Sequence, residues 1–217
     1  MEASVSRVGV LDKGIAVLGA LERSPCGLAE LVAATGLSRP TAHRLAVALE
    51  AHGLVRRDER GRFALGLRLA VLGRAASEGV PLAEAARPAL EALRHETGES
   101  VQLYVRAGDR RVCVAALESP HGLRTIVPLG ASLPLDRGSA GRVLLGDAGG
   151  RKRWVESVAE REAGVASVSA AVLGGSGEVR AAVSVSGPIE RTTRAPGRRY
   201  GVAVACAARA VEAAAGG

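Results

Sequence analysis

Aromatic residues are nearly missing from this 217-residue sequence: one Trp, one Phe and two Tyr, 2% of the chain. A core has to be assembled from Ala, Leu and Val instead. A surface that binds single strands by base stacking is excluded, because it needs aromatic platforms. Lysine is nearly missing too, with 2 Lys against 27 Arg. Arg grips phosphate and guanine bidentately where Lys cannot. An Ala/Arg/Gly/Val-heavy chain also arises from GC-rich coding DNA, so abundance alone names no partner. The net charge of +7 is spread, with 11 cations and 8 anions in residues 1–80 and 18 and 14 in residues 81–217. Position therefore matters more than the total.

Other absences exclude whole function classes. Cys26, Cys113 and Cys206 lie far apart, with no CxxC and no Cys/His cluster, so no metal site and no cofactor is expected. They read as lone thiols of a reducing cytosol. No charge-free run is long enough to span a membrane, and no positive segment leads into an apolar one as in a signal peptide. These features predict a soluble, cytoplasmic protein. The Gly-rich segments 130–141 and 174–177 lack the phosphate-loop pattern. Gly138-Ser139-Ala140-Gly141 is not a nucleophile elbow. His95 and His121 are isolated, and no paired carboxylates stand out. An enzyme is not expected; a small hydrolase or transferase on residues 82–217 is the alternative, and a DNA-binding dimer that senses nothing is another.

What is present is concentrated in residues 26–65. Leu28, Leu31 and Val32 line one helix, which Gly36 terminates in a left-handed conformation. Ser38 is placed to cap the next helix, with Pro40 in its first turn. Ala42, Leu45 and Leu49 give that helix a buried stripe. At 100° per residue the opposite face centres on Pro40, His43, Arg44 and Val47, with Arg39 beside them. A hairpin follows: 54–57, a turn at Gly61, then 62–65. Six Arg and three acids lie between Ser38 and Arg62. Helix, turn, helix and basic hairpin in this order predict a winged helix-turn-helix, with double-stranded DNA as partner. Ser38, Arg39, Pro40, Thr41, His43 and Arg44 are the candidate groove contacts. Arg56, Arg57 and Arg62 are the candidate phosphate or minor-groove contacts of the wing.

Around this motif, Leu11, Ile15, Leu18 and Leu21 predict a first helix over 12–23 with Asp12 as N-cap. The helix over 67–78 is apolar most of the way round, which asks for burial on two sides: against its own domain and a second subunit of a homodimer, or else between the two domains of one chain. Gly79-Val80-Pro81 marks a boundary. The expected domains are 1–66, a linker or dimerisation helix at 67–80, and 81–217. The last contains a helix at 82–97, strands at 100–106, 111–118, 122–129, 165–173 and 179–186, a short helix at 140–145 and a final helix at 198–215. The expected class is α/β (α+β), with a largely antiparallel sheet.

The stretches ATGLSRPTAHRLAVALEAHGLVRRDERGRFALGLRL, VPLGASLPLDRGSAGRVLL and REAGVASVSAAV…AAVSVSGPIER resemble the IclR family of bacterial transcription regulators. The likeness is greatest to its actinobacterial NdgR/AreB-type subgroup, associated with amino-acid metabolism and antibiotic production. The resemblance implies a GAF-like effector domain, homodimers or dimers of dimers, palindromic operators and a small-molecule effector. It places an effector pocket at Gly130, Ser132, Leu133, the turn Gly138-Ser139-Ala140-Gly141, Ser157, Ser167, Ser184 and Ser186. Ser157 stands where other members carry an acid and Ser167 where many carry a cysteine. A pocket with hydroxyls but no fixed charge would select a neutral or weakly polar effector, and not sharply. The family also carries a longer helical stretch between Leu145 and Trp154, so the effector domain is expected to be shortened.

Overall fold

The structure is a computed structural model that describes residues 8–78, 81–147 and 150–216. Gly79-Val80 of the expected boundary and Ala148-Gly149 of the short segment before Trp154 lie outside the described residues. The chain divides into two compact units, Met1–Ala76 and Ser77–Gly217.

In the first unit, α1 (Gly9–Arg23), α2 (Leu28–Thr35) and α3 (Arg39–Ala51) pack around Val17, Leu21, Leu31, Ala46, Val55 and Phe63. Helix α1 begins earlier than its periodicity predicts, with Val8 at the N-cap position and Asp12 in the first turn. There the carboxylate faces the positive end of the helix dipole. Val17 and Leu21 are buried, whereas Leu11 and Ile15 are exposed. Gly36 ends α2 at φ +67°, and its N–H donates to the Val32 carbonyl over 2.9 Å. That left-handed turn costs a residue without Cβ nothing. Strands β1 (Val55–Arg57) and β2 (Phe63–Leu65) pair antiparallel as the wing. Cys26 and Phe63 exchange two backbone hydrogen bonds of 3.0 and 2.9 Å, tying the wing to the segment before α2. Helix α4 follows at Leu67–Glu78.

The second unit is a six-stranded, wholly antiparallel sheet in the order β5-β4-β3-β8-β7-β6. Its strands are β3 (Ser100–Ala107), β4 (Arg110–Leu117), β5 (Ser132–Pro134), β6 (Val155–Val158), β7 (Val165–Leu173) and β8 (Val179–Pro188). Helices α5 (Pro81–Thr97) and α8 (Pro196–Ala215) enclose the main core with one face of the sheet, through Leu90, Leu93, Leu103, Val168, Val183 and Val204. The short α6 (Ser139–Leu144) packs on the other face with Tyr104, Cys113, Val143 and Val155, and α7 (Ile189–Thr192) is a single turn before α8.

Two strand expectations need correction. Residues 122–129 form no strand. Thr125 and Val127 point inward and Ile126 outward, but Leu129, which shares the parity of Thr125 and Val127, is exposed, so the alternation is short. Its polar backbone is tied elsewhere: the Thr125 carbonyl accepts from Ser100 Oγ at 2.7 Å. The sheet instead gains β5 and β6, each too short to carry a periodic signal.

Candidate functional site

Helix α3 presents the first candidate surface. Ser38, Arg39, Pro40, His43 and Arg44 are exposed and Thr41 is half-buried, while Ala42 and Ala46 are fully buried behind them. Arg39, His43 and Arg44 make no ion pair or hydrogen bond among the described residues, so three cationic or polar heads stand free in solvent. Ser38 holds the N-cap position, but its hydroxyl does not cap the helix. It donates to Thr41 Oγ1 at 2.9 Å. The helix's first amide groups thus remain open, an arrangement suited to a phosphate.

The three wing arginines expected to contact DNA differ. Arg56 is exposed and unpartnered among the described residues. Arg57 donates to the Gly61 carbonyl at 3.1 Å, stands 3.4 Å from Glu50 and lies over the Phe63 ring at 4.3 Å. Arg62 is half-buried, with Nε and Nη2 each 2.8 Å from Asp58 Oδ2. Asp58 Oδ1 also accepts from the Arg60 and Arg62 amides at 3.0 and 2.9 Å. Desolvation opposes that carboxylate's charge, but the hydrogen bonds from Arg62 and Arg60 outweigh it and hold its pKa below the usual range. Arg62 therefore shapes the wing turn, and of these three Arg56 is the one whose guanidinium has no partner among the described residues.

The second candidate is a cleft between α6 and the sheet face opposite α5 and α8. Period-two alternation builds it. On β7 and β8, Val168, Ala170, Val183 and Val185 belong to the main core. Their neighbours Ser167, Ser169, Ser184 and Ser186 must then face the other way. Register aligns Ser157 with Ser167, Ser167 with Ser186, and Ser169 with Ser184. The result is a chain of hydroxyls. Ser139 Oγ lies 2.7 Å from Ser167 Oγ and 2.8 Å from Ser169 Oγ. Ser157 Oγ lies 3.0 Å from Ser167 Oγ. Ser169 donates to Ser184 at 2.9 Å, and Ser186 to Gln102 Oε1 at 3.1 Å.

Of the residues singled out in the sequence, Gly138, Ala140, Ser157, Ser167, Ser184 and Ser186 line the cleft. Gly130, Ser132 and Leu133 do not. Gly130 donates its N–H to the Cys113 carbonyl at 2.7 Å. Ser132 and Leu133 form the edge strand β5, where the Ser132 hydroxyl accepts from exposed Arg110 at 2.7 Å. Sequence reading missed Gln102, Tyr104, Arg111 and Arg161 in the lining. The expectation of no fixed charge is therefore wrong, since two guanidinium groups stand in the wall. Arg111 shares the parity of buried Cys113 on β4, and that was the available signal. The space between the walls, mouth included, is about 360 Å³, of which about 20 Å³ admits a water centre. That is room for about one water.

With both sites described, comparison with known families decides the assignment. Residues 10–59 match the IclR helix-turn-helix domain, and residues 74–153 and 151–213 match the bacterial transcriptional regulator IclR C-terminal domain. The chain belongs to the IclR family. Escherichia coli transcriptional repressor IclR is 26% identical over an alignment of 253 positions covering 99% of this chain and 92% of that protein. The Bacillus subtilis regulator KipR is 31% identical over 134 residues, 61% of this chain and 54% of KipR. The chain thus spans about half the length of KipR, and 51% of the AllR repressors it also matches. An IclR-family regulator from Brucella abortus has the same fold at TM-score 0.83, with 21% identity over 98% of this chain and 96% of that one. So does an IclR homologue from Microbacterium hydrocarbonoxydans complexed with 4-hydroxybenzoate, at TM-score 0.74 and 20% identity, covering 94% of this chain and 98% of that one. The α3 face and strand β1 of the wing fall within the family's helix-turn-helix match, and the hydroxyl-lined cleft within its C-terminal match.

Proposed function

We propose that this chain is a sequence-specific, DNA-binding transcriptional regulator, probing the major groove with α3 and the backbone with the wing. The observation that carries the reading is the free, exposed trio Arg39, His43 and Arg44 on a helix packed by its other face. Arg44 and His43 read base edges, Ser38 and Thr41 contact phosphates, and Arg56 grips the backbone beside the wing. Competition with random duplex tests this. A specific regulator retains its selected operator against excess random DNA; a chain that touches DNA without preference is displaced at parity.

A homodimer, or a dimer of dimers, on a palindromic operator follows from the same unit. Leu67, Val71 and Leu72 of α4 are exposed at 79, 58 and 49%, as are Leu11 and Ile15 of α1. Exposed apolar faces of this kind support burial against a second copy. The hydroxyl-lined cleft is proposed as the effector site, with the small-molecule complex of the Microbacterium homologue as support. An effector there works only by binding the DNA-bound and DNA-free forms unequally.

The finer points belong to the same proposal. The shortened effector domain is supported by the family match, which falls in two stretches meeting at residues 151–153. It is also supported by the 253 positions needed to align 217 residues with the E. coli repressor. The relatives named are transcriptional regulators, and this chain is proposed to regulate and not to catalyse. No helix among the described residues is long and apolar enough to cross a membrane; a cytoplasmic location is proposed from the DNA-binding role. Membership of the NdgR/AreB-type subgroup, with control of amino-acid or secondary metabolism by repression or dual action, rests on the motif likeness.

A further inference from the structure

Most cations of the second unit donate to an oxygen of the chain or stand against an acid. Arg137, Lys152, Arg153, Arg180, Arg194 and Arg198 make no hydrogen bond or ion pair among the described residues. Lys152, Arg153, Arg194 and Arg198 meet at one corner. Lys152 and Arg153 lead into Trp154, whose indole lies over Gly197 and Gly201 of α8; a Cβ on either glycine would collide with the ring. Glu156 accepts from the Gly197 amide at 2.7 Å and draws the same two segments together. Arg194 and Arg198 flank Gly197 in sequence, and all four cations are exposed.

The backbone under these cations is held. Among the described residues three other than glycine have positive φ, and two of them border this corner: Arg153 at +59° and Thr193 at +66°. Such conformations persist only where the surroundings fix them. Thr193 donates its N–H to the Ile189 carbonyl at 2.8 Å, and its hydroxyl accepts from the Ala195 amide at 3.1 Å. The acids of the same segments leave the charge uncancelled. Glu156 is bound to the start of α8, and Glu190 attracts Arg191, which Glu99 already pairs at 2.7 Å.

The chemistry points to a polyanion. Trp154 is half-buried against the main core and offers no face on which a base could stack. Exposed arginines without counter-ions bind the phosphates of a duplex by displacing its condensed ions, whatever the sequence. Duplex DNA is favoured over an acidic protein because the first unit already brings DNA to the same chain, which raises its effective concentration at the second. We propose that this corner of the second unit is an auxiliary DNA-backbone contact, gripping phosphates outside the half-sites read by α3. It rests on the reading of the chain as a DNA-binding regulator and adds to it a sequence-independent hold on flanking duplex.

The test titrates the full chain, over a range of salt, against two duplexes. One is the selected operator trimmed to its footprint, and the other carries about 30 more base pairs of arbitrary sequence at each end. The extended duplex should bind about tenfold or more tighter at low salt, with a salt slope steeper by about 2–4. Arg194→Gln with Arg198→Gln should remove about half of that excess slope. Adding Lys152→Gln and Arg153→Gln should remove the rest, with the trimmed duplex bound as by the parent. Arg137→Gln with Arg180→Gln is the charge-matched control and should leave the excess in place. Equal binding of both duplexes by the parent overturns the proposal and leaves the α3 reading intact. So does an excess that the control pair abolishes as fully as the corner pair. A fourfold variant that binds both duplexes as the parent does also overturns it, and leaves the corner to an acidic protein surface. A parent with no preference for the operator over random duplex fails the α3 reading instead. The corner is then upheld if the fourfold variant lowers the salt slope on random duplex, and overturned if it does not.

Discussion

Arg44 and Arg62 carry the same guanidinium with opposite assignments. Arg44 projects from α3 with no partner among the described residues, whereas Arg62 is bonded back to Asp58 within the wing. Arg44→Ala should weaken operator binding by about 1–3 kcal/mol and relax preference at one base position. Equal losses on operator and random duplex in a titration would remove it from base reading. Arg56→Ala should weaken all duplexes alike and lower the salt slope by about 1; an unchanged slope takes it off the backbone. Asp58 belongs to the wing itself. Its depressed pKa means its contribution is present above the ordinary carboxylate range and lost as pH falls through the folded value. A carboxyl titration followed by NMR should find Asp58 still charged where a free aspartate is half protonated. The thiols separate in the same way. Burial pushes Cys113 up to about 12 and raises Cys26, while Cys206 is exposed. A thiol reagent at neutral pH should therefore modify Cys206 quickly and spare the other two in the folded protein.

At the scale of elements, legibility followed signal length. The strand at 165–173 was readable to the residue because nine positions carry one alternation. Strands β5 and β6 were not, having three and four residues. Residues 122–129 misled because buried and exposed side chains alternate only over 125–128 and no neighbour completes a ladder. Cleft serines were accessible through motif and parity, but Arg111 had parity alone: an arginine in a strand reads as surface, and here the carbonyls of Pro134 and Arg137 and the Tyr104 ring surround it. Gly141 shows how closely that packing is drawn. A Cβ there would collide with the Leu135 carbonyl oxygen and Arg111 Nη1. Gly141→Ala should cost about 1–3 kcal/mol, as overpacking does, and a chemical-denaturation midpoint unchanged from the parent would contradict this. Helix α4 was legible as a helix too apolar for solvent, and Leu67, Val71 and Leu72 remain uncovered in the single chain. Val71→Asp should shift sedimentation toward monomer and weaken operator binding, with helix content unchanged by circular dichroism. A variant that stays dimeric would move the interface elsewhere.

For the whole molecule, a unit that reads DNA and a unit proposed to bind an effector make a regulator only if the two binding events are coupled. Linkage then fixes a quantity. Whatever factor an effector changes in operator affinity, the operator must change in effector affinity. The account's central claim lies one step earlier, in paired α3 helices reading a symmetric site. Selection of genomic duplex fragments by the full chain, followed by footprinting of those retained, tests it most directly. The account predicts a common site of two-fold symmetry, with protected half-sites about 34–36 Å apart or a multiple of that, and loss of this symmetric footprint with Arg44→Ala. Retained fragments sharing no sequence, protected equally by the parent and the variant, would contradict it.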